Sequence, residues 1–182
     1  MDFIEQNISG VFLIKPSSFQ DERGEFRRHF CRTEFSEHSI ISDVSQSNLS
    51  HNIMASTLRG FHYQINEYSE GKTFSCLNGE IYDIVVDLRL GSKTFMKWIS
   101  YELSEKNKYS LHVPPGCANA FLTLKDNTLI HYYCSAPYTP EMERGIRYND
   151  PAFSFKWPLE PIYISEKDKL HADFDKTDLM SN

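Results

Sequence analysis

The sequence predicts an all-β sandwich or barrel, and three observations support this fold class. Short apolar and aromatic runs recur at intervals of about ten residues, which is typical of such folds. Turn residues separate the runs, and helix signals are few. The 182 residues, 40% hydrophobic and 24% charged, suit one globular domain with one core. We therefore expect a single domain over residues 1–182.

Nine segments have the composition of β-strands. In chain order they are 10–16, 25–31, 56–64, 72–77, 80–88, 97–103, 109–113, 119–124 and 128–135. Asn78-Gly79, between the fourth and fifth segments, tolerates positive φ and predicts a hairpin turn. One helix is predicted over 33–41, with Thr33 as its N-cap. The polar tail after Asp168 predicts a short helix or a frayed end.

The charge and the cysteines exclude several classes of protein. A net charge of −6 argues against a protein dedicated to nucleic acid or to an anionic membrane. The N-terminal MDFIEQNISG is acidic and polar, unlike a signal peptide, and no apolar run approaches membrane-spanning length. None of the four cysteines has CxxC spacing: they are Cys31, Cys76, Cys117 and Cys134. We expect them to be reduced thiols. We expect a cytoplasmic protein that binds neither nucleic acid nor a membrane.

Several groups of chemically distinctive residues occur in a fixed order. They are DERG at 21–24, LRGFHYQ at 58–64, PPGCANAF at 114–121, the segment 132–140, Trp157-Pro158 and SEKD at 165–168. The ordered set, from about Gly10 to Asp168, resembles the dTDP-4-dehydrorhamnose 3,5-epimerase family. This resemblance implies a double-stranded β-helix (a cupin-like jelly roll) with few short helices and a ligand cavity inside the barrel. It also implies a homodimer.

The resemblance further implies an isomerase that needs no cofactor and no metal. Its substrate would be a nucleotide-diphosphate-linked 4-keto-6-deoxy sugar, inverted at carbon 3, carbon 5 or both. A base would remove a proton beside the ketone, and an acid would return one to the opposite face of the ring. The nucleotide stays open among dTDP, CDP, GDP and UDP, and single-centre epimerisation stays an alternative.

Taken by itself, His62 looks ordinary, because a lone histidine on a strand is usually a core or rim residue. Strand alternation places Gly60 on the same face as His62, and Arg59 and Phe61 on the other face. Glycine within a strand often marks the close approach of a ligand. The resemblance makes His62 the general base, work that suits imidazole because it exchanges protons near neutral pH.

Three more side chains would complete the chemistry that the resemblance implies. Asp168 would orient the base, although SEKDKL by itself is typical of a solvated charged run. Tyr132 and Tyr133 lie on opposite faces of one predicted strand. The resemblance places the acid eight residues before a proline, and counting back from Pro140 then selects Tyr132. Lys72 would stabilise the enolate, although a lysine there is also typical of a strand edge.

The resemblance also assigns residues to the diphosphate, the base and the sugar. Guanidinium groups suit phosphate oxygens, and a tyrosine can stack on the base. The predicted binding residues are Arg23, Arg28, Gln46, Ser47, Asn48, Arg59, Asn119, Tyr138, Glu143 and Lys167. Asn119 stands where the family commonly has histidine, and Arg28 where it usually has a carboxylate. Asn119 can hydrogen-bond but cannot carry a proton or a charge, and Arg28 lies among the family's nucleotide contacts, so it bears on which base or sugar binds.

Two other functions compete with the epimerase. A metal-dependent cupin would need several imidazole ligands, whereas His62-Tyr63-Gln64 and Asn119 supply at most one. The missing second histidine gives some weight to a non-catalytic sugar-nucleotide binder. A binder, however, needs no matched base and acid, which His62 and Tyr132 provide. The sequence therefore favours the epimerase.

Overall fold

The computed structural model describes residues 1–179, and its regular secondary structure is mostly β-strand. In chain order the strands are β1 (Asp2–Glu5), β2 (Phe12–Lys15), β3 (Ser18–Asp21), β4 (Gly24–Arg27), β5 (Gln46–Asn52), β6 (Thr57–Gln64), β7 (Lys72–Asn78), β8 (Glu80–Asp87), β9 (Trp98–Ser104), β10 (Ser110–Val113), β11 (Cys117–Thr123), β12 (Thr128–Cys134), β13 (Glu143–Gly145) and β14 (Tyr163–Ile164). The α-helices are α1 (Arg32–Glu37) and α2 (Glu166–Lys169), and single-turn 3₁₀ helices occupy Asn66–Tyr68, Pro140–Met142 and Lys176–Leu179.

The strands form two facing sheets and one separate ribbon. The first sheet has the order β1-β2-β10-β7-β12-β5, and the second has β13-β6-β11-β8-β9, with β14 beside β6. β3 and β4 make the two-stranded ribbon. From β5 to β12 the chain crosses repeatedly from one sheet to the other, which is the strand exchange of a jelly roll. The predicted all-β class and the double-stranded β-helix are confirmed.

Apolar side chains fill the space between the sheets and cover both outer faces. Between the sheets, Phe74 of β7 and Val85 of β8 belong to one cluster. Residues after β13, among them Phe153, cover the outer face of the second sheet. On the first sheet, α1 buries Phe35 against Tyr133. Strands covered on both faces become almost continuously buried, as β8 and β11 are.

Asn78-Gly79 does not form the predicted hairpin. β7 and β8 belong to different sheets, so these two residues carry the chain around a corner between the sheets. Gly79 has a φ of +82°, and a Cβ at this position would lie 3.0 Å from the Thr128 Cα. Glycine is required because the corner packs directly against β12. The hairpin prediction was wrong because the dipeptide indicates a tight turn and not the partners of the flanking strands.

The predicted helix over 33–41 is shorter than expected and begins earlier. It spans Arg32–Glu37, and Cys31 occupies the N-cap position, so the assignment of Thr33 as N-cap was wrong. Ser39 has a φ of +58°, and the Ile40 N–H donates to the Phe35 carbonyl at 3.0 Å. This Schellman-type arrangement ends the helix before its predicted boundary. No helix in residues 1–179 is long and apolar enough to cross a membrane.

Candidate active site

A cavity of about 970 Å³ lies between the two sheets and holds the predicted catalytic residues. Side chains from β6 and β11 line one side of it, side chains from β7 and β12 line the other, and α2 contributes as well. A second cavity of about 330 Å³ adjoins the first. His62, Lys72 and Tyr132 line both cavities. The two cavities therefore form one cleft centred on these three side chains.

Arg59 and His62 both line this cleft, although alternation predicted opposite faces. His62 pairs with Asn119 and Arg59 pairs with Phe121, so three steps along β6 match two along β11. This β-bulge shifts the alternation between the two residues. The prediction that Arg59 faces away from His62 was therefore wrong. The Arg59 Nε donates to Asn52 Oδ1 at 2.8 Å, which holds the guanidinium at the cavity wall.

His62 and Asp168 form a hydrogen-bonded pair across 106 residues of sequence, with 2.7 Å between His62 Nε2 and Asp168 Oδ1. Ser165 positions the aspartate, because its Oγ accepts from the Asp168 N–H at the start of α2. Burial opposes ionisation of the carboxyl, but hydrogen bonds from His62, Ser165 and the Gly60 N–H hold the pKa of Asp168 below its ordinary value. An ionised Asp168 keeps a proton on His62 Nε2, which leaves Nδ1 to accept another.

β12 presents Tyr132 to the cleft and Tyr133 to the opposite side. The Tyr132 ring stacks on Phe74 with 5.2 Å between centroids. Tyr133 is 7% exposed and belongs to the cluster under α1, where its hydroxyl donates to the His29 carbonyl. Burial raises the pKa of Tyr132, so its phenol keeps the proton at neutral pH. A protonated phenol beside the cleft can act as a general acid.

Lys72 is held by a buried carboxylate that the sequence did not single out. Its Nζ lies 2.7 Å from Glu70 Oε1 and 3.4 Å from the His62 carbonyl oxygen. Glu70 is 8% exposed and also accepts from Gln64 Nε2 at 3.2 Å. A buried ammonium needs such a partner. The lysine is therefore fixed beside His62.

Asn119 lies on the cavity wall and is oriented by a second unpredicted carboxyl, Asp83. The Asn119 Nδ2 donates to Asp83 Oδ2 at 3.0 Å. Asp83 is fully buried, and among the described residues its Oδ1 has no hydrogen-bond partner. Burial raises the pKa of Asp83 well above its ordinary value, against the effects of Asn119 and Lys72. A neutral Asp83 therefore supports Asn119. The available signal was one charged residue within the apolar run IYDIVV at 81–86.

Five more predicted binding residues gather at the cleft with Arg59 and Asn119. Gln46, Asn48, Tyr138 and Glu143 line the smaller cavity, and Lys167 lines the larger one. The Tyr138 hydroxyl donates to Glu143 Oε2, and the Tyr138 N–H donates to Gln46 Oε1, each at 2.8 Å. Lys167 forms an ion pair with Glu143. These bonds join β5, β13 and α2 into one polar wall.

Three predicted binding residues lie outside both cavities. Arg23 is in the exposed turn between β3 and β4. Arg28 pairs with Glu34 of α1 at 2.8 Å. The Ser47 Oγ hydrogen-bonds to His131 Nε2 at 2.8 Å on the side of β5 and β12 away from the cleft. Within one chain these three side chains lie apart from the other predicted binding residues. Their role in binding stays a prediction.

Comparison with known protein families shows the family of this chain. A family model described as dTDP-4-dehydrorhamnose 3,5-epimerase matches residues 5–176. The chain belongs to the dTDP-4-dehydrorhamnose 3,5-epimerase family. The dTDP-4-dehydrorhamnose 3,5-epimerase of Sinorhizobium fredii is 40% identical over 169 residues, which are 92% of this chain and 87% of that protein. The predicted family and the isomerase class are confirmed.

Two solved structures of epimerases are similar in both fold and sequence. A dTDP-6-deoxy-D-glucose-3,5-epimerase from Legionella pneumophila, in complex with dTDP-4-keto-L-rhamnose, has a TM-score of 0.86 and 37% identity, covering 92% of this chain and 89% of that one. A 3′-monoepimerase from Streptomyces bikiniensis, in complex with dTDP-quinovose, has a TM-score of 0.83 and 29% identity. The match covers 91% of this chain and 84% of that one. Proteins with this fold thus include both double and single epimerases.

Proposed function

We propose that this protein inverts carbon 3 and carbon 5 of a dTDP-linked 4-keto-6-deoxy sugar, acting as one domain without a cofactor. The observation that carries the proposal is the placement of His62 and Tyr132. They lie on strands of two facing sheets, β6 and β12, and line the same cleft. A sugar ring between them has the base on one face and the acid on the other. Inversion requires this arrangement.

Proton removal begins at His62 Nδ1. Asp168, 2.7 Å from Nε2, stabilises the imidazolium that forms when Nδ1 takes the proton beside the ketone. The negative charge moves to the ketone oxygen, where the Lys72 ammonium stabilises the enolate. Tyr132 then donates its phenolic proton to the opposite face of the same carbon. The enolate is neutralised, and the configuration is inverted.

The polar wall of the smaller cavity and Arg59 would hold the nucleotide. Arg59 suits the diphosphate, because a guanidinium fork matches phosphate oxygens. Tyr138, 52% exposed, can stack on the base. A thymine base is the choice that the family and the dTDP-bound relatives support. Asn119, held by Asp83, would contact the sugar.

We also propose a homodimer that the β3–β4 ribbon helps to form. Phe19 and Phe26 pair directly across the ribbon, and each is 71% exposed. Paired exposed phenyl rings mark a contact surface. The ribbon would place Arg23 on the partner, where it could reach a diphosphate that it does not reach in its own chain. The double variant Phe19→Ser, Phe26→Ser should elute as a monomer in size-exclusion chromatography, and an unchanged elution volume would refute this interface.

A cytoplasmic location is part of the proposal. All four cysteines are free thiols, and three of them are buried. Free thiols suit a reducing compartment.

The proposed reaction is tested by supplying dTDP-4-keto-6-deoxy-glucose in deuterated water after exhaustive treatment with EDTA. Deuterium should enter carbon 3 and carbon 5, and NMR should detect product inverted at both. Label at one carbon alone would support the single-centre alternative, which the similarity to a 3′-monoepimerase favours. Activity lost with EDTA and restored by one divalent ion would support a metal-dependent cupin. Binding without exchange would support the non-catalytic alternative.

A further inference from the structure

A second histidine, His171, lies beside the His62–Asp168 pair and has no part in the proposed reaction. Its Nε2 lies 3.9 Å from Asp168 Oδ1. This nitrogen is buried, and no described residue hydrogen-bonds to it. The site therefore contains a buried imidazole nitrogen that faces the Asp168 carboxylate and makes no hydrogen bond to a described residue.

The backbone around His171 fixes the ring in this place. The His171 carbonyl accepts from Arg147 Nη1 at 3.1 Å. The ring packs on Gly145, where a Cβ would overlap it, and Gly145 pairs with His62 across β13 and β6. Glycine at 145 thus makes the space that brings the second imidazole next to the first.

These three side chains have the donor chemistry and spacing of a transition-metal site. One potential ligand atom from each of His62, Asp168 and His171 lies within 4.8 Å of the other two. Two bonds of about 2.0–2.2 Å at a tetrahedral zinc place donor atoms roughly 3.3–3.5 Å apart. Asp168 Oδ1 lies 2.7 Å from His62 Nε2 and 3.9 Å from His171 Nε2, one distance below that range and one above it. Two imidazoles and a carboxylate with an open fourth position suit Zn²⁺.

We propose that His62, Asp168 and His171 form an inhibitory site for a divalent transition-metal ion, with Zn²⁺ as the test ion. The metal takes the Nε2 lone pair of His62, and the proton that Nε2 carried toward Asp168 moves to Nδ1. A neutral imidazole with its proton on Nδ1 cannot accept a proton from the sugar. The metal also replaces His62 as the partner of Asp168. Metal binding rests on the geometry alone, whereas inhibition rests on the proposed function.

The first test measures binding without turnover. Metal-free wild-type protein is titrated with Zn²⁺ in competition with a fluorescent chelator, beside His171→Gln and the control His38→Gln. His38 stacks on Phe3, outside the cleft. We expect one bound Zn²⁺ in the wild type and in His38→Gln, and an affinity at least ~10-fold weaker in His171→Gln. Equal affinity in all three proteins, or no stoichiometric binding, would overturn the site.

The second test measures deuterium exchange into the 4-keto sugar at increasing Zn²⁺. Wild type and His38→Gln should lose exchange as the site fills, with kcat falling and KM unchanged. His171→Gln should exchange normally without metal and require at least ~10-fold more Zn²⁺ for the same inhibition. If Zn²⁺ binds through His171 but exchange continues, the inhibitory role is refuted while the site stands. If no variant exchanges without metal, the proposed function fails and the binding result still decides the site.

Discussion

The substitution Asp168→Asn tests the catalytic assignment most directly, because it changes one charge and almost no volume. In the wild type, the imidazolium formed at His62 faces a carboxylate across a 2.7 Å contact. The Asp168 side chain is 5% exposed and that of His62 is 32% exposed, so the pair lies between water and a dry interior. At an effective dielectric constant of about 20, unit charges about 4 Å apart attract by roughly 4 kcal/mol.

A loss of that size corresponds to almost 1000-fold in rate, at about 1.4 kcal/mol per factor of ten. The asparagine oxygen can still accept a neutral hydrogen bond, so we expect kcat to fall about 100- to 1000-fold. KM should hardly change, because the charge on His62 develops only as the proton is transferred. Deuterium exchange into the sugar, measured over a range of substrate concentrations, gives both constants.

The matched control is Glu166→Gln, which removes a carboxylate from the same helix, two residues away. Glu166 is exposed and pairs with Lys169, so this variant should keep the wild-type rate. A thermal melt of each protein separates lost chemistry from lost fold. An Asp168→Asn rate within fivefold of wild type, or a loss confined to KM, would refute the role of Asp168 in stabilising the imidazolium.

Three further substitutions test the acid, the cation and a buried histidine. Tyr132→Phe should still exchange deuterium with retained configuration, while inverted product falls about 100-fold or more. Tyr133→Phe should behave like wild type. NMR of the product reports exchange and inversion, and loss of inversion in Tyr133→Phe but not in Tyr132→Phe would contradict the assignment. Lys72→Met should lower kcat about 100- to 1000-fold, and a rate within tenfold of wild type would exclude it as the enolate partner. Burial lowers the pKa of His112 to about 4. The neutral side chain therefore makes its full contribution to stability above a pH of about 6.5, and this contribution is lost as the pH falls from there toward 4. Urea titrations should show that wild type loses about 2.5 kcal/mol more than His112→Asn between pH 7 and pH 4.5, and equal losses would contradict this.

The fold class was predictable because it depends on local composition. Each of the nine predicted segments overlaps a strand. β5, QSNLSHN, was missed because it is a polar edge strand with alternating burial and no apolar run. Sheet membership was not predictable either, since it depends on partners far along the chain, as the corner at Gly79 illustrates.

Site residues that belong to a sequence motif could be predicted. Residues that reach the site only through the packing of the fold could not. The resemblance named His62 and Asp168, and the structure places them in contact. Glu70, Asp83 and His171 were missed, because burial and proximity give these residues their importance and neither is visible in one sequence. The position of Arg59 was missed for a related reason, since a bulge depends on the partner strand.

The alternation of strands between sheets also determines the order in which this enzyme can become active. His62 pairs with Asn119, and Lys72 pairs with Cys134, so the hydrogen-bond partners of the central strands are separated by long stretches of chain. Such high contact order makes folding slow, in the range of milliseconds to seconds. Asp168 follows the last described strand, so a nascent chain can close both sheets around His62 while the base still lacks its carboxylate. Activity is therefore expected to appear only after the segment carrying α2 has docked.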